Sequence, residues 1–299
     1  MACINRNTIP NIGLIILNWN NFDDSNTCIN SAKDIEYDAY DIILVDNGST
    51  DDSIARLNRE HPDITTIELP ENLGYASGMN RGIAYCLQHD YDYIMLSNND
   101  VVFVDRSILT ELTRCFSRYP KLGALSPSTR QMGISFFVIE YLSGLRVGVS
   151  KPDFDLLSNR DLRWPVNYAC VMFSNECIRD IGVLPEHYFM YCEDLAHISK
   201  LESRGYWGAE YVHTKIDHGI SNSSDDRGEL VAYYITRNKF LLYRDVYKSV
   251  FLFFIPYILY FSLSRAIFNL IRGDKSKSEA FILGLLDGLR MIRGKHRYP

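Results

Sequence analysis

The 299-residue sequence lacks the signatures of several protein classes. Its seven cysteines include no Cys-x-x-Cys pair, which excludes the usual spacing of a zinc or redox site, and we expect buried thiols in a reducing cytosol. Residues 1–10 are polar and contain no apolar core, so no secretory signal is expected. There is no internal repeat or low-complexity tract. A content of 46% hydrophobic and 23% charged residues is typical of a globular chain rather than a disordered or coiled-coil one.

Positive charge is scarce over most of the chain. Residues 241–299 contain ten Lys and Arg against four Asp and Glu, a net charge of +6, whereas residues 1–240 carry −12. The total of −6 gives no reason to expect a nucleic-acid partner.

The basic part contains the most apolar segment of the sequence, residues 250–271. Its uninterrupted run ends after 14 residues, short of the ~20 that a spanning helix needs. A buried core helix, an interfacial or re-entrant helix and a spanning helix are the alternatives. We favour the interfacial or re-entrant helix, peripheral or monotopic at the cytosolic face of the plasma membrane, because basic residues surround the segment and aromatic residues dominate it.

Apolar runs and helical segments alternate over the first hundred residues. This alternation predicts an open parallel sheet, with ligands bound at the carboxyl ends of the strands. The predicted strands are residues 12–17, 42–45, 64–69 and 93–96, and the predicted helices between them include 26–35 and 79–88. Beyond them we predict helices at 108–117, 177–181 and 195–203, a strand and loop at 122–131, and a hairpin at 135–149.

Polar clusters follow three of the predicted strands: 18–20, 46–48 and 98–100. Since parallel strands end at the same edge of a sheet, these clusters are expected to converge on one crevice. Taken alone, Asp46 is best interpreted as a capping residue and 98–100 as a polar turn.

A second acidic feature, Glu193-Asp194, follows the aromatic stretch 188–192. Apolar surroundings raise the pKa of a carboxyl group, which suits proton transfer, and helix capping is the alternative.

In combination these patterns resemble family 2 glycosyltransferases with the GT-A fold, most closely the rhamnosyltransferase-type branch of polysaccharide biosynthesis. The resemblance extends in order from residue 12 to about 240. It rests on LNWN at 17–20, VDNGSTD at 45–51, ENLGYASGMNRG at 71–82, SNND at 97–100, MYCED at 190–194, His218 and YYITRN at 233–238.

The resemblance implies a nucleotide-diphospho-sugar transferase fold: a Rossmann-like mixed sheet flanked by helices, with a C-terminal helical, membrane-associating extension. We expect a GT-A domain at 1–222, with a donor half at about 1–106 and an acceptor half at about 107–222. The basic, hydrophobic extension would then occupy 223–299.

Donor-binding residues are also implied by the resemblance. Trp19 would stack on the nucleotide base, with a core tryptophan as the alternative, and Asp46 would accept a hydrogen bond from a pyrimidine N–H. In the loop 72–82, Gly74 and Gly78 would let the backbone approach the ligand closely. The other nucleotide-sugar-binding residues implied are Leu17, Asn72, Gly74, Asn80, Asn98 and Asn99.

Asp100 matches the last residue of the family's metal-binding DxD motif, and His218 matches a histidine that completes the coordination; His213 is a rival. Oxygen ligands suit Mg²⁺ or Mn²⁺, which would neutralise the leaving diphosphate. The motif here is Asn98-Asn99-Asp100, with a single carboxylate, which weakens the site.

Asp194 matches the general base of an inverting transfer, and Glu193 would hold the loop or contact the acceptor. Arg237 would bind diphosphate or, alternatively, pin the C-terminal helix. The family often carries another acidic residue two places after the base, where this chain has Ala196.

The expected function is transfer of a sugar from a nucleoside-diphosphate donor, dTDP-rhamnose or a UDP-sugar, to a growing glycan or lipid-linked saccharide at the inner membrane surface. A non-catalytic nucleotide-sugar-binding protein is one alternative. A sugar nucleotidyltransferase is another, but it would carry a glycine-rich basic loop after the first strand. All side chains of the expected site would have to gather at one cleft.

Overall fold

The computed structural model describes residues 9–129, 161–163, 166–219, 228–248 and 251–298. The chain forms two compact units. The sheet unit comprises Met1–Glu71, Gly78–Val183 and Lys200–Ile220, and the helical unit comprises Asn72–Ser77, Leu184–Ser199 and Ser221–Pro299.

The first half of the sheet unit alternates strands and helices. The strands are β1 (Ile12–Asn18), β2 (Tyr40–Asp46), β3 (Thr65–Glu68) and β4 (Tyr93–Asn98), and the helices are α1 (Phe22–Lys33), α2 (Ser53–Glu60) and α3 (Tyr75–Gln88). The four strands pair in parallel in the order β3-β2-β1-β4. Near-continuous apolar runs form β1 and β4 because both faces of these strands are buried. The predicted alternation is therefore confirmed.

The second half of the sheet unit makes the sheet mixed. It adds β5 (Val101–Phe103), α4 (Ile108–Arg118), β6 (Leu122–Thr129), β7 (Leu162–Arg163), β8 (Cys170–Ser174), α5 (Asn175–Ile181) and β9 (Trp207–His218). Strand β8 lies antiparallel to β4, β6 follows β8, and β9 joins β6 to β5. A mixed sheet flanked by helices is the predicted fold class. The predicted hairpin at 135–149 lies outside the described residues.

The helical unit contains a short 3₁₀ turn (Glu186–Tyr188), the start of α6 (Glu193–Ser203), and three long helices. These helices are α7 (Gly228–Tyr247), α8 (Phe251–Ile271) and α9 (Lys275–Leu289). Helices α7 and α9 approach closely at two glycines. A Cβ at Gly284 would collide with the backbone carbonyl of Tyr233, and one at Gly288 with the ring of Phe240.

Helix α8 is apolar but largely exposed. Its buried residues are Ile258, Ser262 and Ala266, one turn apart on a single stripe. Among the described residues it is the one helix that is long and apolar enough to cross a bilayer, and only 17% of its most apolar 18 residues are buried. A buried core helix, one of the three alternatives considered above, is not what the structure shows.

Candidate active site

The carboxyl ends of β1 and β2 are joined by a buried hydrogen-bond network. Asn18 Nδ2 donates to Asp46 Oδ1 at 2.7 Å, and it also lies 3.1 Å from Ser49 Oγ and 3.2 Å from Ser53 Oγ. Asn18 Oδ1 accepts from Ser25 Oγ of α1 at 2.7 Å. Because these partners come from β2, the turn that follows it and two helices, Asn18 fixes the geometry of this edge of the sheet.

Asp46 is 2% exposed, and protein donors surround its carboxylate. In addition to Asn18, Ser49 donates twice: its Oγ to Oδ1 at 2.6 Å and its backbone N–H to Oδ2 at 2.9 Å. The turn between them requires Gly48, which has φ +70° and packs so tightly against the Glu71 backbone that a Cβ would collide with it. Asp46 thus closes its own turn, and it does not cap α2, whose first residue is Ser53.

The residues that follow β4 belong to the same network. Asn99 Nδ2 donates to Ser25 Oγ at 2.9 Å, and Ser25 in turn donates to Asn18. The polar clusters after β1, β2 and β4 therefore meet at one edge of the sheet, as the parallel topology predicts.

Asp100 lies beside His218, with Oδ1 and Nε2 3.4 Å apart. The two residues are brought together by the antiparallel pairing of β5 with β9, in which Val101 is opposite His218. Asn98 Nδ2 is also 3.4 Å from His218 Nε2. The rival His213 is turned to a different partner, because its Nε2 lies 2.8 Å from Asp161 Oδ1.

Asn98 Oδ1 is buried and has no hydrogen-bond partner. Such an atom is costly unless a ligand or ion satisfies it. Nearby, the Asp100 carboxylate and the His218 imidazole provide an oxygen and a nitrogen donor of the kind that binds a divalent cation. In the part of the chain that the structure describes, no three or more His, Cys, Asp or Glu side chains form a group that could hold a metal. The cluster therefore offers a cation few protein ligands.

Other implied donor-binding residues of the sheet unit lie at its surface or just beneath it. Trp19 is half-buried rather than part of the core, and Asn80 is buried. A Cβ at Gly78 would collide with the side chain of Leu17, so packing within the protein already requires this glycine.

The remaining implied donor-binding residues, Asn72 and Gly74, belong to the helical unit. Asn72 Oδ1 accepts from Gly74 N–H at 2.9 Å, and Gly74 has φ +89°. A Cβ on Gly74 would collide with the Phe189 carbonyl, to which Tyr75 N–H donates at 2.8 Å. Packing within the protein therefore explains why residue 74 is glycine, whereas the expected reason was close approach of a ligand.

The acidic pair begins α6 in the helical unit. Glu193 is 6% exposed, and its Oε2 is buried with no hydrogen-bond partner, whereas Asp194 is half-buried and its Oδ1 accepts from Leu195 N–H at 2.8 Å. Burial, helped by the neighbouring Asp194 charge, raises the pKa of Glu193 to about 8. Burial also raises the pKa of Asp194. The pair therefore resists carrying two negative charges near neutral pH.

Arg237 of α7 is fully buried and directs its guanidinium to backbone carbonyls. Nη2 donates to Tyr188 O at 2.7 Å and Nη1 to Gly294 O at 2.6 Å, while the ring of Tyr234 lies 4.6 Å from its central carbon. Of the two roles expected for this arginine, these contacts match the structural one: it pins the helix to the neighbouring loop.

Several residues of these networks, including Asn18, Ser25, Ser49, Ser53 and Asn238, were not assigned a role from the sequence. The first and the last stand in the motifs LNWN and YYITRN. Asn18 could have been identified from the sequence, because it is a polar residue at the end of a buried strand.

Structural comparison identifies the class to which this fold belongs. The mannosyltransferase PcManGT from Pyrobaculum calidifontis, solved with GDP-Man and Mn²⁺, superposes with a TM-score of 0.60 at 15% identity over 95% of this chain and 88% of that one. S. aureus TarS 1–349 in complex with UDP-GlcNAc gives a TM-score of 0.59 at 14% identity over 94% of this chain and 81% of that one. The fold is GT-A.

Sequence comparison finds similarity to one family of enzymes. The model for glycosyl transferase family 2 matches residues 14–126. A poly-beta-1,6-N-acetyl-D-glucosamine synthase of Staphylococcus aureus (strain MSSA476) is 27% identical over 210 residues, 68% of this chain and 48% of that protein. An N-acetylglucosaminyl-diphospho-decaprenol L-rhamnosyltransferase of Mycobacterium tuberculosis (strain CDC 1551 / Oshkosh) is 25% identical over 228 residues, 67% of this chain and 74% of that protein.

Residues 14–126 of this chain are thus similar to glycosyl transferase family 2, and the two relatives are a polysaccharide synthase and a rhamnosyltransferase. The chain spans about half the length of the S. aureus synthases that it matches. The sheet unit holds Asp46, Asp100 and His218, and the helical unit holds Asp194 and Arg237. That these side chains gather at one cleft stays a prediction.

Proposed function

We propose that this protein transfers a sugar, with inversion, from a nucleoside-diphosphate donor to a hydroxyl of a growing, lipid-linked cell-surface glycan. The observation that carries the proposal is the cluster at the strand ends of the sheet unit, where the buried, unpartnered Asn98 Oδ1 accompanies the Asp100–His218 pair. Such a cluster is suited to the diphosphate end of a nucleotide sugar.

The donor side of the proposal rests on the sheet edge. The half-exposed Trp19 offers a flat face for a base, and Asp46 is a rigid acceptor for a pyrimidine N–H. We propose dTDP-rhamnose or a UDP-sugar as donor, in line with the mycobacterial rhamnosyltransferase and with TarS, which was solved with UDP-GlcNAc.

The residues that would hold Mg²⁺ or Mn²⁺ are Asp100 and His218, with Asn98 Oδ1 as a third donor. When bound, the cation neutralises charge on the departing diphosphate. The neighbour PcManGT was solved with Mn²⁺.

The proton chemistry is assigned to Asp194. As the acceptor oxygen forms its bond to the anomeric carbon, the bond from that carbon to the diphosphate oxygen breaks, and the hydroxyl proton passes to the Asp194 carboxylate. Burial and the neighbouring Asp194 raise the pKa of Glu193 to about 8, so the pair resists a second negative charge at pH 7.

The acceptor is proposed to be lipid-linked because of α8. Its exposed apolar side chains include Leu252, Phe253, Tyr260, Ile267 and Ile271, which are 57–82% exposed. Residues 241–299 carry the net charge of +6. An exposed apolar helix among cations favours association with an anionic membrane surface, and we propose residues 223–299 as the membrane-associating region that follows a catalytic domain at 1–222.

One observation favours a second candidate, a non-catalytic nucleotide-sugar-binding protein: the segment Asn98-Asn99-Asp100 provides a single carboxylate. A two-part experiment decides between the two. Thermal shifts with dTDP-rhamnose, UDP-GlcNAc and GDP-mannose, each with and without Mn²⁺, identify the donor. Release of nucleoside diphosphate in the presence of a lipid-linked acceptor is then compared between the wild type and Asp194→Asn. Release by the wild type that is lost in the variant supports the enzyme, and donor binding without release supports the second candidate.

A further inference from the structure

The loop that leads into the acidic pair is held in a costly backbone conformation. Phe189, Tyr191 and Cys192 have φ of 69°, 65° and 72°, and none of them is glycine. A residue other than glycine keeps such a conformation only where its surroundings enforce it. Three residues with positive φ lie within four positions immediately before Glu193, so hydrogen bonds or packing must stabilise this loop conformation.

The support comes first from Asn238 of α7. Its Nδ2 donates to the carbonyls of Tyr188, Met190 and Tyr191 at 3.0, 2.7 and 2.8 Å. Its Oδ1 accepts from Arg237 Nε at 2.9 Å, which fixes the orientation of the amide. One fully buried amide group thus binds three carbonyls of a four-residue stretch.

With the other contacts, every backbone carbonyl from 188 to 192 accepts a hydrogen bond. Arg237 Nη2 shares the Tyr188 carbonyl with Asn238, Tyr75 N–H donates to the Phe189 carbonyl, and Ala196 N–H donates to the Cys192 carbonyl as α6 begins.

Arg237 is itself held in place by segment 291–298. Its Nη1 donates to the Gly294 carbonyl at 2.6 Å, and Gly294 N–H donates to the His187 carbonyl at 2.7 Å, next to the loop. The segment 291–298 is fastened to the helices by an ion pair between Arg297 and the buried Asp287, which also accepts from the Tyr233 hydroxyl at 2.9 Å. Segment 291–298 therefore limits how far Arg237 can move.

We propose that Asn238 and Arg237, backed by segment 291–298, are positioning residues that hold the left-handed loop 188–192 so that the acidic pair of α6 presents Asp194 in one fixed orientation. This inference rests on the proposed function, in which Asp194 accepts the proton of the acceptor hydroxyl. The contacts favour positioning over general stabilisation because the Nδ2 bonds of Asn238 all go to this loop.

The test is Asn238→Ala in the full chain, with Thr236→Val as its matched control. Thr236 is also fully buried on α7, but its hydroxyl has no hydrogen-bond partner, so the isosteric valine removes no bond. We expect Asn238→Ala to lower kcat by about 10- to 100-fold with the donor KM unchanged, because small misplacements of a catalytic group have effects of this size. Thr236→Val should keep the wild-type kcat.

A double-mutant cycle with Asp194→Asn separates positioning from a merely structural role. If Asn238 acts through the acidic pair, adding Asn238→Ala to Asp194→Asn lowers the residual kcat by less than twofold. A full further loss in that background, or a wild-type kcat for folded Asn238→Ala, overturns the inference. If Asn238→Ala does not fold, Asn238→Ser, whose hydroxyl can donate to one carbonyl, is assayed by the same criteria.

The cycle also distinguishes the two proposals. Wild-type turnover by Asp194→Asn would refute the proposed role of Asp194 itself. Loss of turnover in Asp194→Asn together with normal turnover in Asn238→Ala would refute only the positioning role.

Discussion

His218 Nε2 lies 3.4 Å from Asp100 Oδ1 because β9 runs antiparallel to β5 and places His218 opposite Val101, the residue that follows Asp100. The pairing of β5 with β9 places the His218 imidazole at the end of β4, near Asn98, whose side-chain carbonyl oxygen has no hydrogen-bond partner. A strand from late in the chain thus completes a cluster begun by the first half of the sheet.

If this cluster binds the cation, His218→Ala should weaken Mn²⁺-dependent donor binding by at least about 10-fold, since one of three proposed ligands is lost. The measurement is the thermal shift produced by the donor at increasing Mn²⁺ concentrations. His213→Ala is the matched control, because that histidine lies on the same strand but pairs with Asp161. Equal Mn²⁺ dependence in the two variants would contradict the assignment.

For the acidic pair, Asp194→Asn should lower kcat by about 10²–10⁴-fold while donor affinity stays within a factor of two, because a positioned general base contributes about that much. Glu193→Gln is the control. Burial and the Asp194 charge keep Glu193 protonated at pH 7, and glutamine resembles a neutral carboxyl group. We expect that variant to retain activity within about 10-fold. Comparable losses in both variants would argue against separate roles.

The raised pKa of Glu193 also predicts how stability depends on pH. Between the ordinary glutamate pKa near 4.5 and the folded-state value of about 8, the unfolded chain binds fewer protons than the folded one, so this group lowers the free energy of unfolding as pH rises. Glu193→Gln removes that titration. Its melting temperature relative to wild type should therefore increase from pH 6 to pH 9, by on the order of a few °C. A constant difference across this range would show that Glu193 ionises normally.

Asp46 should matter for stability as well as for nucleotide binding. Asp46→Ala leaves the donors of Asn18 and Ser49 without their acceptor in a buried turn, and we expect a loss of about 2–4 kcal/mol in the free energy of unfolding, measured by urea denaturation. Asp52→Ala is the control, because its side chain is 75% exposed and its one ion pair spans 4.0 Å. Its cost should stay below about 0.5 kcal/mol.

The first half of the fold could be predicted from the sequence because β1, β2 and β4 are short, largely apolar runs that end in polar residues. The predicted strand at 12–17 is β1 (Ile12–Asn18), and the predicted helix at 79–88 is the larger part of α3 (Tyr75–Gln88). Strand β9 was missed because charged and polar residues interrupt its apolar pattern, and β5 because it has only three residues.

The site was harder to predict for a different reason. Asp46 and Asp100 could be expected at one crevice because they follow buried strands, which is a local signal, whereas their roles were implied by the family resemblance. The pairing of His218 with Asp100 depends on strand register over a long sequence separation, and the role of Asn238 depends on three loop carbonyls that no spacing reveals.

Membrane association can be tested without truncation, which would remove α9 from its packing against α7. Replacing Phe253 and Ile271, which are 82% and 79% exposed, with Ser should reduce binding to vesicles that contain anionic lipid by about 10-fold or more, since two large apolar side chains are lost from the bilayer contact. The matched control replaces exposed Asn30 of α1 with Ser. Co-sedimentation at two salt concentrations measures both contributions, because attraction by the cations of 241–299 weakens with salt while apolar burial does not. Unchanged sedimentation of the double variant would show that α8 does not carry the contact with the bilayer.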